Sequence, residues 1–364
     1  MNLWQQLAEQ PQKAIGLSPM DGQTDAPFRY IIAKHCKPDL IFTEFVNVDS
    51  IYHSRDELLT PLLYNEFERP IIAQIFGIEP KLFYLAAQIV AELGFDGIDI
   101  NMGCPSKNVS SRGAGAGLIK TPTLALEIIA ACKQGVADWA KNGLSPDQSV
   151  RALRKLESTK TRLKQLGTNF EINHHKEIPV SVKTRIGYST NQVDAWIPTL
   201  LKANPANISL HGRTFKQLYS GHADWDAIAN AAELIRQHNN KLSPDKKITI
   251  WGNGDIKDYE QAQEYARKYQ LDGVLIGRAV LGDPWVMLPK TERPQSLAEK
   301  IPVILAHSKI FAEMSPNCYY AMRKHLAWYF KGFNGASDLR AQLVRTNNHE
   351  EAEKIIFSCQ NLTR

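Results

Sequence analysis

One cysteine of this chain lies in a turn, where a reactive group is more usual than a core side chain. Cys104 follows the apolar run "GIDINM" and stands between Gly103 and Pro105. A free thiol has a pKa of about 8.5, so at neutral pH it is mostly protonated and can act as a general acid. The alternatives are a thiolate nucleophile, which needs a nearby histidine, and an inert buried side chain, which a Gly/Pro turn suits poorly. The sequence therefore favours Cys104 as a proton donor.

Other polar residues stand late in apolar runs rich in β-branched residues, or in the turns that follow them. Such runs predict strands, and the carboxyl ends of strands in a parallel barrel converge on one mouth, where enzymes of that fold hold their active sites. We therefore expect these side chains to meet at one site. They are Gln74, Asn101, Lys183, Arg185, His211, Arg213, Asn253, Asp255 and Arg278.

Eight such runs occur along the chain, and most are followed by a helical stretch such as "PKLFYLAAQIVAELG". The runs cover residues 14–20, 40–48, 70–77, 97–105, 179–187, 207–214, 247–256 and 273–282. Eight successive units of a strand and a helix predict an α/β fold, the (β/α)8 TIM barrel. The strand pattern then stops. The sequence predicts a barrel domain over residues 1–288 and an all-helical domain over residues 296–364.

Glycine-rich turns follow the seventh and eighth predicted strands, in "WGNGDI" and "IGRAV". The corresponding loops of TIM barrels often bind phosphate through backbone N–H groups, and Arg278 would add a positive charge here. Another glycine-rich stretch, "RGAGAGL" at residues 112–118, lacks the GxGxxG spacing of a dinucleotide fold. We interpret it as a flexible substrate loop, so that any nicotinamide nucleotide must bind without a Rossmann domain.

Two stretches depart from the barrel pattern and carry basic residues. At about 141–178 an insertion contains a basic amphipathic helix, which is either an extension packed on the barrel or an RNA contact. Its apolar stripe consists of Leu153, Leu156, Leu163 and Leu166. In the tail, "CYYAMRKHLAWYFKGF" brings Lys324, Trp328 and Lys331 to one helical face. Basic and aromatic side chains together suit RNA, although an ordinary helix with its aromatic residues packed inward explains them equally well.

Charge and cysteine content restrict the class of protein further. The chain has 364 residues and a net charge of +5, and the segment from residue 289 onward holds eleven Lys/Arg against seven Asp/Glu. This basic tail suits a polyanion partner. The five cysteines form no CxxC pair, so neither a structural metal site nor a disulfide framework is expected. No membrane span or signal peptide is evident, which predicts a cytoplasmic protein.

Several segments, in order along nearly the whole chain, resemble the tRNA-dihydrouridine synthases, and the bacterial branch is the most similar. The segments are "SPMDGQTDAPFR", "QIFG", "GIDINMGCPSKNV", "VKTRIG", "HGRTFKQLYSGHADWDAI", "GNGDI", "GVLIGRAVLGDPW" and "MRKHLAWYFKG". The resemblance implies an FMN-containing barrel, NADPH as reductant and a helical domain that holds tRNA. It further implies reduction of the C5=C6 bond of a D-loop uridine, with a proton from Cys104.

The same resemblance assigns roles to residues of the site. The expected cofactor-binding residues are Pro19 and Met20 against the flavin, Gln74, Lys183 and His211 at its ring and ribityl edge, and Asn253, Gly254, Asp255, Gly277 and Arg278 around its phosphate. The expected substrate-binding residues are Asn101 and Arg185 at the uracil edge, and Arg323, Lys324 and Lys331 on the tRNA. A monomer without a metal is expected.

Two other functions remain open at this level. A dihydroorotate-dehydrogenase-like oxidoreductase acting on a free pyrimidine would share the flavin motifs and a strand-end cysteine, but not the basic aromatic tail. A tRNA-binding protein that keeps flavin only as structure would not need the combination of Cys104, Lys183 and His211.

Overall fold

Eight parallel strands close into a barrel in chain order, with β1 paired to β8. The strands are β1 (Ala14–Leu17), β2 (Leu40–Asn47), β3 (Ile71–Phe76), β4 (Gly97–Met102), β5 (Val180–Gly187), β6 (Asn207–Thr214), β7 (Thr249–Asn253) and β8 (Gly273–Ile276). Each predicted run contains one strand, so the predicted TIM barrel is confirmed. The computed structural model describes residues 1–170 and 175–358; residues 171–174 of the predicted insertion and 359–364 of the predicted tail lie outside them.

The register of neighbouring strands explains why polar side chains gather inside the barrel mouth. Asn101 of β4 is level with Lys183 of β5, and His211 of β6 is level with Asn253 of β7. Because side chains alternate across a strand, every second residue faces the barrel interior. Two polar residues that are two positions apart in one strand therefore both face the barrel interior. Asp99 and Asn101 of β4 are such a pair.

The opposite end of the barrel is filled by apolar side chains. The helix α1 (Leu3–Ala8) precedes β1, and its Trp4 packs edge to face on Trp251 of β7 with ring centroids 5.3 Å apart. Gly16 and Gly273 leave room for the Trp251 ring, because a Cβ at those positions would lie 2.9 Å and 2.5 Å from it. The barrel thus has an apolar floor and a polar mouth.

Helices surround the barrel, and the insertion supplies one of them. These helices are α2 (Ala26–His35), α3 (Val48–His53), α4 (Pro80–Glu92), α5 (Lys107–Ser110), α6 (Pro122–Asn142), α7 (Val150–Gln165), α8 (Val193–Leu201), α9 (Trp225–Asn239) and α10 (Tyr259–Lys268). The connection from β2 to β3 contains the short α3 and two 3-10 turns, and α7 packs over it. The Nζ of Lys155 donates to the carbonyl oxygen of Ser50 at 2.7 Å, and Leu156 and Leu163 are fully buried. The amphipathic insertion helix therefore packs on the barrel.

The part of the tail that the structure describes forms four α-helices, which share a hydrophobic cluster of their own. They are α11 (Leu297–Met314), α12 (Met322–Tyr329), α13 (Ala336–Leu343) and α14 (His349–Ser358). Ile304, Phe311, Met322 and Leu326 belong to this cluster, and α11 packs against α2 of the barrel. Within the two described ranges, no helix is long and apolar enough to cross a membrane.

Candidate active site

A cavity of about 1180 Å³ opens at the carboxyl ends of the strands. It is lined by the barrel residues that the sequence predicted for the site, which come from every strand except β2 or from the turns after those strands. The predicted residues in its wall are Pro19, Met20, Gln74, Asn101, Cys104, Lys183, Arg185, His211, Asn253, Gly254, Asp255, Gly277 and Arg278. The closed strand order places β4 and β8 four strands apart, so Cys104 and Arg278 lie on opposite sides of the mouth.

The turn that carries Cys104 is held by two neighbouring side chains. The Oδ1 of Asn101 accepts hydrogen bonds from the backbone N–H groups of Gly103 at 3.0 Å and Cys104 at 2.8 Å. From β5, the Nε of Arg185 donates to the carbonyl oxygen of Gly103 at 2.7 Å. These hydrogen bonds make both residues supports of the Cys104 turn. Their predicted contact with substrate stays a prediction.

The surroundings of Cys104 keep its thiol protonated. Burial raises the pKa of the thiol above its usual value, and the charge of Asp21 acts in the same direction. The backbone N–H of Ser106 and the cations Arg185 and Lys183 oppose this effect without cancelling it. A protonated thiol can donate a proton but is a poor nucleophile, so the site supports a general acid rather than a thiolate mechanism.

A buried hydrogen-bond chain fixes the amide of Gln74 beside this turn. The Oε1 of Gln74 accepts from Nδ2 of Asn101 at 2.9 Å, and its Nε2 donates to Oδ2 of Asp99 at 2.7 Å. Asp99 also accepts from the hydroxyl of Ser181 at 2.7 Å, and burial raises its pKa to about 6. Sequence reasoning missed Asp99, although a carboxylate inside the apolar run two residues before Asn101 could have identified it.

Lys183 and His211 add nitrogen donors at the centre of the mouth. The Nζ of Lys183 donates to Oδ1 of Asn253 at 3.1 Å, and burial lowers the pKa of this lysine to about 8. Burial and the nearby cations hold the pKa of His211 well below its usual value. At neutral pH His211 is therefore uncharged, so Lys183 provides the positive charge and His211 a neutral hydrogen-bonding group.

Two arginines meet on one carboxylate at the β7 and β8 side of the cavity. Asp255 accepts from Nη1 and Nη2 of Arg213 at 2.9 and 2.7 Å, and from Nη2 of Arg278 at 2.9 Å. The net charge of this group is positive, and the arginine side chains are fixed in place. Asp255, predicted as a cofactor ligand, thus positions the arginines. Arg213 was recognised in the sequence as a strand-end residue but was given no role.

Gly254 forms the tight backbone turn next to this group. Its φ is +131°, and a Cβ there would lie 2.6 Å from Cβ of Ala223 and 3.0 Å from Cδ2 of His211. Gly254→Ala is therefore expected to cost about 1–3 kcal/mol of stability through backbone strain and to displace His211. Urea unfolding of this variant, beside Gly277→Ala, measures the effect. Gly277 is the control because a Cβ there meets only atoms at 3.6 Å or more. Equal stability of the two variants would contradict the assignment of Gly254.

The glycine-rich stretch at residues 112–118 differs from its interpretation as a flexible substrate loop. Gly115–Lys120 forms a 3-10 helix in which Gly115 to Ile119 are buried. A Cβ on Gly115 would lie 3.2 Å from Cβ of Cys104. This segment packs against the Cys104 turn, so the interpretation as a flexible loop is wrong for residues 115–118.

The three predicted tail residues lie outside the cavity wall and differ in their contacts. The Nε of Arg323 donates to the carbonyl oxygen of Thr346 at 2.8 Å, inside the tail. The Nζ of Lys324 donates to the carbonyl oxygen of Gly22, in the loop between β1 and α2. Lys331 is exposed. The first two are thus engaged in structural contacts.

Comparison with known proteins finds one family and several relatives that match nearly the whole chain. The family described as "Dihydrouridine synthase (Dus)" matches residues 16–140 and 161–363. A probable tRNA-dihydrouridine synthase 2 of Bacillus subtilis is 32% identical over 361 residues, which cover 98% of this chain and 95% of the relative. A probable tRNA-dihydrouridine synthase of Staphylococcus aureus is equally similar, at 32% identity over 98% of this chain and 94% of its own length.

The chain therefore belongs to the dihydrouridine synthase family, as the sequence motifs predicted. Residues 141–160, which contain the first part of the insertion, are not matched by the family. Among solved structures, a variant of NCR from Zymomonas mobilis covers 74% of this chain and 83% of its own, at 14% identity and a TM-score of 0.39, a likeness too low to add to the assignment.

Proposed function

We propose that this protein is a tRNA-dihydrouridine synthase that reduces the C5=C6 bond of a D-loop uridine, with FMN as cofactor and NADPH as reductant. The observation that carries the proposal is the protonated thiol of Cys104 in a cavity whose opposite side holds Arg278, which shares Asp255 with Arg213. Arg213 and Arg278 would hold the phosphate of a bound cofactor, and Cys104 would supply a proton from its own side of the mouth. The names of the relatives support uridine in tRNA as the substrate.

The donor set of the cavity fits FMN. The arginine pair and the turn at Gly254 suit a phosphate, since they combine fixed positive charge with a backbone whose close approach to a ligand no Cβ obstructs. Gln74, Lys183, His211 and Asn253 offer the amide, ammonium and imidazole groups that a flavin ring and a ribityl chain require. Pro19 and Met20 provide an apolar wall. When bound, reduced flavin supplies the hydride.

The protein's own groups then divide the remaining work. Lys183 places a positive charge at the centre of the mouth, where it stabilises negative charge on a reduced ring. Cys104 donates the proton to the carbon that does not receive hydride, from a turn that Asn101 and Arg185 keep in place. Asp99 orients Gln74. The thiol is regenerated by proton uptake from solvent.

A uridine in tRNA must leave its stack to reach this cavity, and contacts elsewhere on the RNA can offset that cost of a few kcal/mol. We infer that the helical segment 296–364 is a tRNA-binding domain and supplies them, since most of the chain's net positive charge lies from residue 289 onward. tRNA as substrate places the enzyme in the cytoplasm. Of the predicted contacts, exposed Lys331 is the most suitable for a phosphate, because Arg323 and Lys324 already have protein partners.

Lys331→Glu is expected to weaken tRNA binding about tenfold and to lower the slope of log affinity against log salt by about one, because one phosphate contact and its counterion release are lost. Filter binding at several salt concentrations measures both quantities. The matched control is Lys241→Glu, the same charge change at an exposed lysine in the connection from α9 to β7, at the floor end of the barrel. If the two variants bind tRNA equally, Lys331 does not contact the RNA.

The proposed activity is tested by product analysis. The purified protein, NADPH and tRNA that lacks dihydrouridine are incubated, the tRNA is digested to nucleosides, and the released cofactor and nucleosides are identified by mass. We expect FMN and a uridine heavier by two hydrogens. Reduction of free uracil or orotate instead of tRNA would favour the dihydroorotate-dehydrogenase-like alternative. A reduced flavin that no acceptor reoxidises would favour a non-catalytic tRNA-binding flavoprotein.

A further inference from the structure

Three side chains of metal-binding type meet outside the cavity, where the tail packs on the barrel. Asp25 is the N-cap of α2, His307 lies on α11 and His325 on α12. One donor atom from each lies within 4.8 Å of those of the other two. The Nε2 of His325 is 3.0 Å from Oδ2 of Asp25, and both imidazoles are at most 1% exposed. The cluster thus joins one barrel helix to two tail helices.

Two nitrogens of this cluster have no hydrogen-bond partner among the described residues. They are Nε2 of His307 and Nδ1 of His325, both buried. The hydroxyl of Tyr329 lies 2.9 Å from Nδ1 of His307, which leaves Nε2 as that ring's free ligand atom. Buried polar atoms in native proteins are nearly always paired, so the unpaired Nε2 of His307, in a cluster with a carboxylate and a second imidazole, indicates a missing partner. The nitrogen of His325 that faces the carboxylate is Nε2, so this atom and not its Nδ1 belongs to the candidate ligand set.

We propose that Asp25, His307 and His325 bind one divalent cation of the zinc class, which fixes the tail to the barrel. Two imidazole nitrogens and a carboxylate oxygen form a donor set that zinc prefers, whereas calcium and magnesium require oxygen ligands. Zinc bonds of about 2.0–2.1 Å place neighbouring tetrahedral ligands about 3.3 Å apart. The 3.0 Å between Asp25 and His325 is close to that spacing. Water completes the coordination.

The groups around the cluster orient its ligands as a metal site requires. The Oδ1 of Asp25 accepts from the backbone N–H of Phe28 at 3.0 Å, which leaves Oδ2 for the ion. Tyr329 holds the far nitrogen of His307 in the same way. Hydrogen bonds of this kind fix the orientation of metal ligands. Aromatic rings enclose the site, since Phe28 and Trp328 lie 4.9 and 5.1 Å from the His325 ring.

The position of the site gives the ion a structural role. Asp25 ends the loop after β1, whose Met20 lines the cavity, and Lys324 of α12 donates to Gly22 in the same loop. An ion between Asp25 and the tail would therefore hold the tail at a fixed place beside the mouth. This inference concerns the fold and does not depend on the proposed reaction.

Zinc binding to the tag-free, chelator-treated holoenzyme tests the proposal. After addition of zinc and gel filtration, metal analysis is expected to find about one zinc per chain. Asp25→Asn keeps the oxygen that caps α2 but removes the anionic ligand, and His307→Gln removes an imidazole. Each is expected to bind zinc more than about 100-fold more weakly, because losing a ligand costs more than losing a group that orients one.

The control is His349→Gln, which removes a different tail imidazole, one bonded to Ser308. It should bind zinc like the unmodified protein. Zinc should also raise the Tm of the unmodified protein and of this control, but not of the two cluster variants. Absence of zinc from the unmodified protein overturns the proposal and leaves a buried water as the missing partner. Equal zinc binding by all variants overturns it as well.

Discussion

Cys104→Ala is expected to reduce its flavin with NADPH at nearly the normal rate while forming dihydrouridine about 10²–10⁴-fold more slowly. The proton donor is lost, but the groups proposed to bind the flavin remain, since Cys104 follows β4 and the Lys183 and Asn253 pair comes from β5 and β7. Anaerobic stopped-flow spectroscopy measures the two half-reactions separately. An equal slowing of both would mean that the thiol supports flavin binding instead of proton transfer.

Two further observations make this result specific to the thiol of Cys104. Cys318→Ala removes an exposed tail cysteine and should change neither half-reaction. In the unmodified protein, tRNA reduction should slow as the pH rises through the raised pKa of Cys104, because a thiolate has no proton to donate. The Cys104→Ala variant should lose this dependence on pH. If it keeps the same profile, another group donates the proton.

Lys183→Met is expected to affect the other half-reaction: flavin reduction by NADPH slows about 10²-fold. The uncharged side chain no longer stabilises negative charge on the reduced ring. The Oδ1 of Asn253 also loses the hydrogen bond that it accepts from Lys183. Proton donation from Cys104 should continue once the flavin has been reduced chemically. Rapid mixing with NADPH, followed at the visible flavin band, measures the first half-reaction.

The pH profile provides an independent check on Lys183. Burial lowers its pKa to about 8, so the ammonium is present below that pH and lost as the pH rises through it. Bound phosphate would shift this value upward. Flavin reduction should therefore decline at or above about pH 8 in the unmodified protein and not in Lys183→Met. Lys216→Met, at an exposed lysine on the loop after β6, is the control and should behave like the unmodified protein.

The positions of the residues at the strand ends could be predicted, because the pattern of apolar runs locates the strands and the barrel topology brings the strand ends together. Lys183, His211 and Asn253 each lie late in a β-branched run, and closure of a parallel barrel brings all such positions to one mouth. No knowledge of side-chain contacts is needed for that inference. The same reasoning identified Cys104, which stands in the turn directly after such a run.

The partners of those residues could not be predicted, because hydrogen bonds depend on side-chain directions that a sequence pattern does not contain. Asn101 and Arg185 were assigned to uracil, yet both hold the Cys104 turn. Asp255 was assigned to the cofactor, yet it pairs with two arginines. In each case the sequence did not reveal the protein partner, and the predicted ligand contact stays a prediction.

The packing of segments that are distant in the sequence could not be predicted either. Nothing in the periodicity of α7 specifies that it covers the connection between β2 and β3, since an amphipathic stripe fits any apolar surface. The meeting of Asp25 with His307 and His325 depends on how the tail lies on α2. Asp25 and His325 are 300 positions apart in the sequence, and no local sequence pattern predicts a contact between residues so far apart.

The most direct test of the proposed function follows the flavin of the unmodified protein through one anaerobic turnover. The protein is reduced with NADPH and mixed with tRNA that lacks dihydrouridine. We predict rapid return of the oxidised flavin band with this tRNA, and no return with free uracil, uridine or tRNA that is already modified. A flavin that stays reduced with unmodified tRNA, but is reoxidised by a free pyrimidine or a quinone, would contradict the account.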